Sequence, residues 1–212
     1  MGGAEGERTM TDIPYGLGPR QLDALREVAN IGAGHAATAL SQLTGHTIMI
    51  NVPALGVHPR TAIRTLLERP EGEVAAVDVR MLGELTGQTL LIFEHAAAKQ
   101  LAALLTMRPS SDGALSELER SAVQEVGNIL ASAYLNALSQ IVGGVLLPTP
   151  PRVDTGPGGD VVHEAATRGP GSDPVLTINT RFSMEGGGEV KGTFLVLPDH
   201  DSLVRILEAL RV

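Results

Sequence analysis

The feature that most constrains this sequence is an internal repeat. Three residues of the first half recur 98 positions later in the second half. The matching pairs are Glu27 and Glu125, Asn30 and Asn128, and Pro53 and Pro151. The segment TLLIF at 89–93 also matches TFLVL at 193–197, with an offset of 104. Because each copy of a duplicated unit can bury its apolar face against the other, we expect two copies related by a pseudo-two-fold axis.

Hydrophobic periodicity and turn residues predict the same elements in both halves. In the first half, helices are predicted over 21–43, 61–69 and 95–107, and strands over 46–53, 74–82 and 88–95. In the second half, helices are predicted over 117–142, 161–167 and 201–210, and strands over 144–151, 175–185 and 189–198. Each half therefore has the order helix, strand, short helix, hairpin, helix.

This order predicts an α/β (α+β) fold with one antiparallel or mixed sheet and two long helices side by side. An interior glycine costs a helix about 1 kcal/mol relative to alanine, so glycines inside the long helices need a reason. We expect Gly32, Gly34 and Gly127 to let the two helix backbones approach each other closely.

The distribution of glycine and proline predicts how the chain is divided. Residues 1–18 are glycine-rich with few apolar side chains and are expected to form a disordered leader. Residues 19–212 are expected to form one domain made of two repeats, 19–109 and 114–212. Two Gly/Pro-rich segments, 156–159 and 168–174, are expected to be flexible linkers.

The composition argues against several classes of function. A net charge of −8 and an aromatic content of 2% are atypical of nucleic-acid-binding surfaces, which are basic and often stack bases on aromatic rings. The absence of cysteine excludes disulfides, thiolate metal sites and a cysteine nucleophile. The six histidines show no H-x3-H or H-x4-H spacing, so no metal site is expected. Without an apolar signal segment or a run of about 18 apolar residues, the chain is expected to be cytoplasmic and not inserted in a membrane.

Each long helix carries a polar stripe on a face that its apolar residues do not use. The stripe of the first helix is Asp23, Glu27, Asn30 and Gly34, and that of the second is Ser121, Glu125, Asn128 and Ser132. Exposed helix faces are normally polar, so a single Glu-x-x-Asn pair would need no functional explanation. Its recurrence in both halves, each time followed by a proline after a strand, favours a functional site.

The repeated pattern Asp/Ser-x3-Glu-x2-Asn-x22-Pro resembles the signature of the CheC family of CheY-phosphate phosphatases, which includes CheC, CheX and FliY. The first half meets it with Asp23, Glu27, Asn30 and Pro53, and the second with Ser121, Glu125, Asn128 and Pro151. Two sites in one chain are similar to CheC, since CheX carries one site and forms dimers. FliY has an additional flagellar-motor domain, for which a chain of this length has no room.

The resemblance implies that the chain hydrolyses the aspartyl-phosphate of the response regulator CheY. A side-chain amide can both donate to and accept from a water molecule, which suits Asn30 and Asn128 to orient the attacking water. The resemblance further implies that Glu27 and Glu125 pair with the regulator's active-site lysine. Asp23, Ser121 and the two prolines are expected to shape the site. No metal or cofactor of its own is expected, because Mg²⁺ is bound by the regulator.

Two other interpretations remain open, and a third is set aside. The chain could be a non-catalytic adaptor of the same fold that binds CheY-phosphate or the receptor deamidase CheD, which is also an expected partner of the phosphatase. It could be a component of the flagellar switch. The run GAGHAA at 32–37 weakly resembles a dinucleotide-binding loop, but no strand precedes it.

Two details concern the assembly and the first site. Because the duplication supplies both sites in one chain, the protein is expected to be a monomer. Ala29 replaces a frequent glycine of the family, so the first helix is expected to pack slightly differently from the second. His35 stands where some CheC sequences have asparagine and is expected to be a helix-surface residue.

Overall fold

The computed structural model describes the chain in five segments. The described residues are 18–67, 69–110, 112–169, 174–184 and 189–210. Of the predicted leader, only Gly18 is described, as the N-cap of the first helix. Part of the predicted linker 168–174 also lies outside the described residues.

The observed elements follow the predicted order. The helices are α1 (Pro19–Thr44), α2 (His95–Thr106), α3 (Glu117–Val142), α4 (Gly158–Thr167) and α5 (His200–Ala209). The strands are β1 (Ile48–His58), β2 (Glu73–Gly83), β3 (Gly87–Glu94), β4 (Leu146–Pro148), β5 (Arg152–Pro157), β6 (Val175–Met184) and β7 (Glu189–Pro198). The short helix predicted over 61–69 is instead a 3-10 helix, Arg60–Thr65.

The ends of α1 and α3 have the caps that their sequences predict. Ser116 accepts a hydrogen bond from the backbone N–H of Glu119, and the Glu119 carboxylate accepts from the Ser116 N–H, which completes a capping box. Both long helices end at a glycine in the left-handed conformation, Gly45 with φ 68° and Gly143 with φ 76°. α3 is therefore capped at both ends, and α1 is capped at its C-terminal end.

Within the described residues, the strands form one antiparallel sheet in the order β1-β6-β7-β3-β2-β4, and β5 pairs with the remainder of β2. The register of the central pair β3–β7 supports the pseudo-two-fold axis. Thr89 pairs with Val196, and Ile92 pairs with Thr193. The 104-residue offset converts the first of these pairs into the second, so the axis passes between β3 and β7. The predicted duplicated fold is confirmed.

The helices cover the sheet unequally on its two faces. Alternate residues of β2 point to opposite faces, as strand geometry requires. Ala75 and Val77 join the main core with α1, α2 and α3, whereas Val74 and Ala76 join a smaller core under α4 and the 3-10 helix. No helix in the described ranges has the length and apolar character needed to cross a membrane.

The three helix glycines serve different purposes, and one expectation is confirmed. A Cβ at Gly32 would lie 2.6 Å from Tyr134 Cδ1 and 3.0 Å from Tyr134 Cα, so this glycine does let α1 approach α3. The expectation for Gly34 is wrong, because it is exposed and a Cβ there would meet nothing within 4 Å. Gly127 faces the sheet instead of α1, since its Cβ would lie 2.4 Å from Val77 Cγ1.

The equivalent prolines interrupt the sheet edge in both copies, because proline cannot donate to a strand ladder. Around Pro53, the pairing of β1 with β6 shifts register between Asn51 and Ala54. In the second copy, Pro151 lies in the break between β4 and β5. The expectation of a flexible linker at 156–159 is wrong: residues 156–157 pair with β2 as part of β5, and 158–159 begin α4.

Candidate phosphatase sites on the two long helices

The first candidate site lies on the N-terminal half of α1. Asp23, Glu27 and Asn30 are all exposed on this helix. Residues three apart on a helix share a face and differ by about 4.5 Å along the axis, so the Glu27 and Asn30 side chains are neighbours. Asp23 Oδ1 lies 3.6 Å from Arg26 Nη1 in an exposed ion pair.

The second candidate site lies at the equivalent place on α3, but within a groove. Glu125 is exposed, whereas Asn128 is partly buried. The groove has a volume of about 630 Å³. Its walls come from the ends of α1 and α2, from α3 and from the break between β4 and β5. The lining residues are Leu43, Leu105, Thr106, Arg108, Leu118, Ser121, Ala122, Gln124, Glu125, Asn128 and Pro151.

Side chains of α3 fix the loop that carries Pro151. Gln124 Nε2 donates to the Pro151 carbonyl at 2.7 Å, and Arg120 Nη2 donates to the Val153 carbonyl at 2.7 Å. Pro151 is itself partly buried. The loop of the second site is therefore held against α3 at the proline and again two residues after it.

The first site has different residues at these positions. Residue 26, which is 98 positions before Gln124, is an arginine that pairs with Asp23. Residue 22, the equivalent of Arg120, is a leucine. Pro53 is exposed at the irregular part of β1. The first site is thus an open helix face, and its proline is exposed in an irregular part of β1.

The Glu and Asn side chains of both sites are available for an outside partner. Among the described residues, none of Glu27, Asn30, Glu125 and Asn128 makes a side-chain hydrogen bond or ion pair, and other groups are not competing for them. An amide beside a carboxylate can bind one water molecule and one cationic group at the same time. The arrangement can therefore bind a water molecule and a cationic group of a partner at the same time.

The structure brings together the predicted residues of the second site and adds others. Ser121, Glu125, Asn128 and Pro151 all line one groove. In the first site, Asp23, Glu27 and Asn30 share the exposed part of α1. His35 is exposed, as expected of a helix-surface residue. Ala29 is buried beside an apolar cavity of about 40 Å³, whereas its equivalent Gly127 contacts β2 directly, so the predicted difference in packing is confirmed.

Sequence reasoning missed several residues of the groove. Leu118, an apolar residue in the first turn of α3, is 48% exposed and lines the groove. Leu43 and Arg108 reach the groove from α1 and from the loop after α2, and no local sequence signal reports that approach. Gln124 directly precedes Glu125, and this polar neighbour of the repeated pattern is the sequence signal for the contact with Pro151.

Comparison with known proteins defines first the class of fold. The X-ray structure of Thermotoga maritima FliY superimposes with a TM-score of 0.75 at 23% identity, covering 92% of this chain and 97% of that one. A FliY of Bacillus subtilis, a flagellar motor switch phosphatase, is 28% identical over 85% of this chain and 47% of its own length.

The family follows from two further matches. The profile of the CheC-like family matches twice, at residues 21–57 and 118–154, and each match contains one complete copy of the Glu-Asn-Pro pattern. The CheY-P phosphatase CheC of Bacillus subtilis is 32% identical over 92% of this chain and 96% of its own length. This chain belongs to the CheC-like family.

Proposed function

We propose that the protein is a phosphatase that hydrolyses the aspartyl-phosphate of the chemotaxis response regulator CheY. The observation that carries this proposal is the Glu-x-x-Asn pair displayed twice, on both long helices, without side-chain partners among the described residues. The names of the relatives support the reaction, since they include CheY-P phosphatase CheC. Hydrolysis ends the signal that the phosphorylated regulator transmits.

The chemistry asks little of the phosphatase. An aspartyl-phosphate is an activated acyl phosphate, so positioning the attacking water in line with the bond to be broken supplies most of the acceleration. Asn30 and Asn128 are suited to this role because an amide stays neutral and can orient a water through both its oxygen and its nitrogen. A carboxylate at the same position would repel the phosphoryl group.

The glutamates have a separate task. We assign Glu27 and Glu125 to an ion pair with the active-site lysine of the regulator, which orients the complex and gives specificity. Asp23, Ser121, Pro53 and Pro151 shape the surface around each pair. In the second site, the hydrogen bond from Gln124 to the Pro151 carbonyl supports this role for the proline.

The remaining partners follow from this scheme. The Mg²⁺ required by the reaction belongs to the regulator, so the phosphatase itself contributes only side chains. The reaction places the protein in the cytoplasm with its regulator. CheD is proposed as a second partner, and a monomer is proposed because both sites are present in one chain.

The test is a time course of phosphate release from phosphorylated CheY. We expect the double variant Asn30→Ala and Asn128→Ala to abolish the acceleration while its circular dichroism spectrum and melting temperature stay at wild-type values. Gln42→Ala is the matched control, because Gln42 is an exposed amide of α1 that lines a different groove. Wild-type activity in the double variant would exclude the proposed mechanism.

A second measurement separates the phosphatase from an adaptor. Binding of phosphorylated CheY without any acceleration of phosphate release, with and without CheD, would identify a non-catalytic adaptor. Under our proposal, the Glu27→Ala and Glu125→Ala changes mainly weaken association with the regulator. The Asn variants mainly lower the rate of the bound complex.

A further inference from the structure

The groove of the second site contains a basic residue that the Glu-Asn pattern does not include. Among its lining residues the charged ones are Arg108 and Glu125. Arg108 is exposed, and within the described part of the chain its guanidinium makes no ion pair or side-chain hydrogen bond, even with Glu125. The protein as a whole carries a net charge of −8, so this cation stands out from its surroundings.

The loop that carries Arg108 is fixed on both sides. Met107, directly before it, ends α2 in the left-handed conformation with φ 52°. Pro109 directly follows, and proline restricts its own φ and the backbone of the preceding residue. Arg108 therefore leaves the end of α2 in a restricted direction, toward the groove that it lines.

A buried ion pair anchors the other end of this loop. The Ser110 hydroxyl donates to Glu119 Oε1 at 2.6 Å, and Lys99 Nζ lies 3.6 Å from the same oxygen. The side chains of Lys99 and Glu119 are only 13% and 7% exposed. This anchor holds the chain two residues after Arg108 against the capping box of α3, so the backbone from which the Arg108 side chain extends is constrained.

We propose that Arg108 is a substrate-binding residue of the second site, where its guanidinium donates to anionic oxygens of the phosphorylated regulator. This inference rests on the proposed function and deepens it. The regulator presents a phosphoryl group within an acidic, Mg²⁺-binding pocket. Both the phosphoryl group and the carboxylates of that pocket offer paired oxygens. Arginine matches paired oxygens with two parallel N–H donors, which lysine cannot do. Charge complementarity also accelerates association with an acidic partner.

In the sequence, the repeat does not place an arginine at the equivalent position for the first site. The 104-residue offset that relates the copies places Val212 at the position equivalent to Arg108. Arg108 thus distinguishes the two sites of one chain, and the second site is expected to bind the regulator more tightly.

The kinetic test uses the Asn30→Ala protein, in which only the second site is intact. In this background, Arg108→Ala should raise KM for phosphorylated CheY about tenfold and change kcat less than about twofold. Arg108→Lys should restore part of the loss, because it keeps the charge and loses the two-pronged geometry. The dependence of kcat/KM on salt should become shallower in Arg108→Ala. Arg69→Ala is the control, since Arg69 is an exposed arginine that pairs with Glu94 and does not line this groove.

A binding measurement distinguishes the two sources of negative charge and does not require activity. The Mg²⁺-loaded regulator is titrated with and without beryllofluoride, which mimics the phosphoryl group. Loss of affinity in Arg108→Ala only with beryllofluoride identifies the phosphoryl oxygens, and loss in both forms identifies carboxylates. Unchanged affinity and KM in Arg108→Ala, with the double variant Asn30→Ala and Asn128→Ala still inactive, would overturn the role of Arg108 and leave the proposed function standing. An inactive wild-type protein would instead overturn the proposed function.

Discussion

The two candidate sites share their defining residues but differ in their surroundings. On α1, Glu27 and Asn30 lie on an open helix face, and the proline of this copy, Pro53, is exposed on β1. On α3, Asn128 is partly buried in a groove of about 630 Å³ whose floor is tied to the helix by Gln124. The repeated pattern thus gives both helices the same Glu and Asn side chains, whereas the surrounding residues decide how firmly those side chains are held.

This difference predicts unequal activity. A water-positioning group contributes most when it is held close to its productive geometry, and a loosely held group loses much of that advantage. The second site has a fixed loop, a partly buried amide and an additional cation. We therefore expect it to carry most of the phosphatase activity.

The largest predicted effect tests this inequality directly. Asn128→Ala should lower phosphate release from phosphorylated CheY by about tenfold or more, because it inactivates the more rigid second site. Asn30→Ala should lower the release by less than about threefold. The measurement is a steady-state rate at a regulator concentration below KM. Equal losses in the two variants would show that the groove gives no advantage.

A second prediction tests the close approach of the helices that carry the sites. Gly32→Ala should reduce the free energy of unfolding by about 1–3 kcal/mol, because the added methyl meets the Tyr134 ring and backbone. Urea denaturation followed by circular dichroism measures this loss. If the variant is as stable as the wild type, α1 and α3 do not pack as closely as the structure indicates.

A third prediction concerns the tether of the second site. Gln124→Ala removes the hydrogen bond to the Pro151 carbonyl and should lower activity about threefold to tenfold, in line with a net loss near 1 kcal/mol. Arg26→Ala is the matched change in the first site and should have little effect on the rate, because Arg26 pairs only with exposed Asp23. The same Gln124 change made in Asn128→Ala should add nothing, and a further loss there would point to a general structural role.

The smallest predicted effect separates the two glycines of α1. Gly34→Ala should raise the free energy of unfolding by about 0.5–1 kcal/mol, because alanine is the better helix former and its methyl would meet nothing within 4 Å. Denaturation under the conditions used for Gly32→Ala gives the comparison. A loss of activity without a loss of stability would indicate that Gly34 is a contact of the partner.

Much of the fold could be predicted because the repeat and the periodicity agree. The N-terminal cap of α3 is a local pattern, Ser116 and Glu119, and the hairpins β2–β3 and β6–β7 join strands that are neighbours in sequence. The order of the whole sheet could not be predicted, because β1 pairs with β6, and β2 with β4 and β5, across the two copies. The failures have a common physical cause. Gly34 and Gly127 look alike in sequence, but one faces solvent and the other Val77, and only the packing of whole elements decides between them. Residues 156–159 read as a linker because pairing with β2 is a long-range contact.

The candidate sites were predictable to the same extent. Local spacing places Glu125 and Asn128 on one face of a helix, and the resemblance to a family predicts their roles in orienting water and pairing with a lysine. The groove could not be predicted, since Leu43, Arg108 and Pro151 come from three distant segments. Their meeting depends on how α1, α2 and the β4–β5 break are arranged around α3.

The seam between the two copies has a consequence for how the chain is made. β3 is buried almost throughout and pairs with β7, which begins only at Glu189. During synthesis, the first half emerges while β3 still has an open apolar edge, and unpaired edges of this kind promote aggregation. The pairing that unites the copies is thus among the last to form. We therefore expect the first half to aggregate more readily than the complete chain, because β3 has no β7 with which to pair until the second copy has been made.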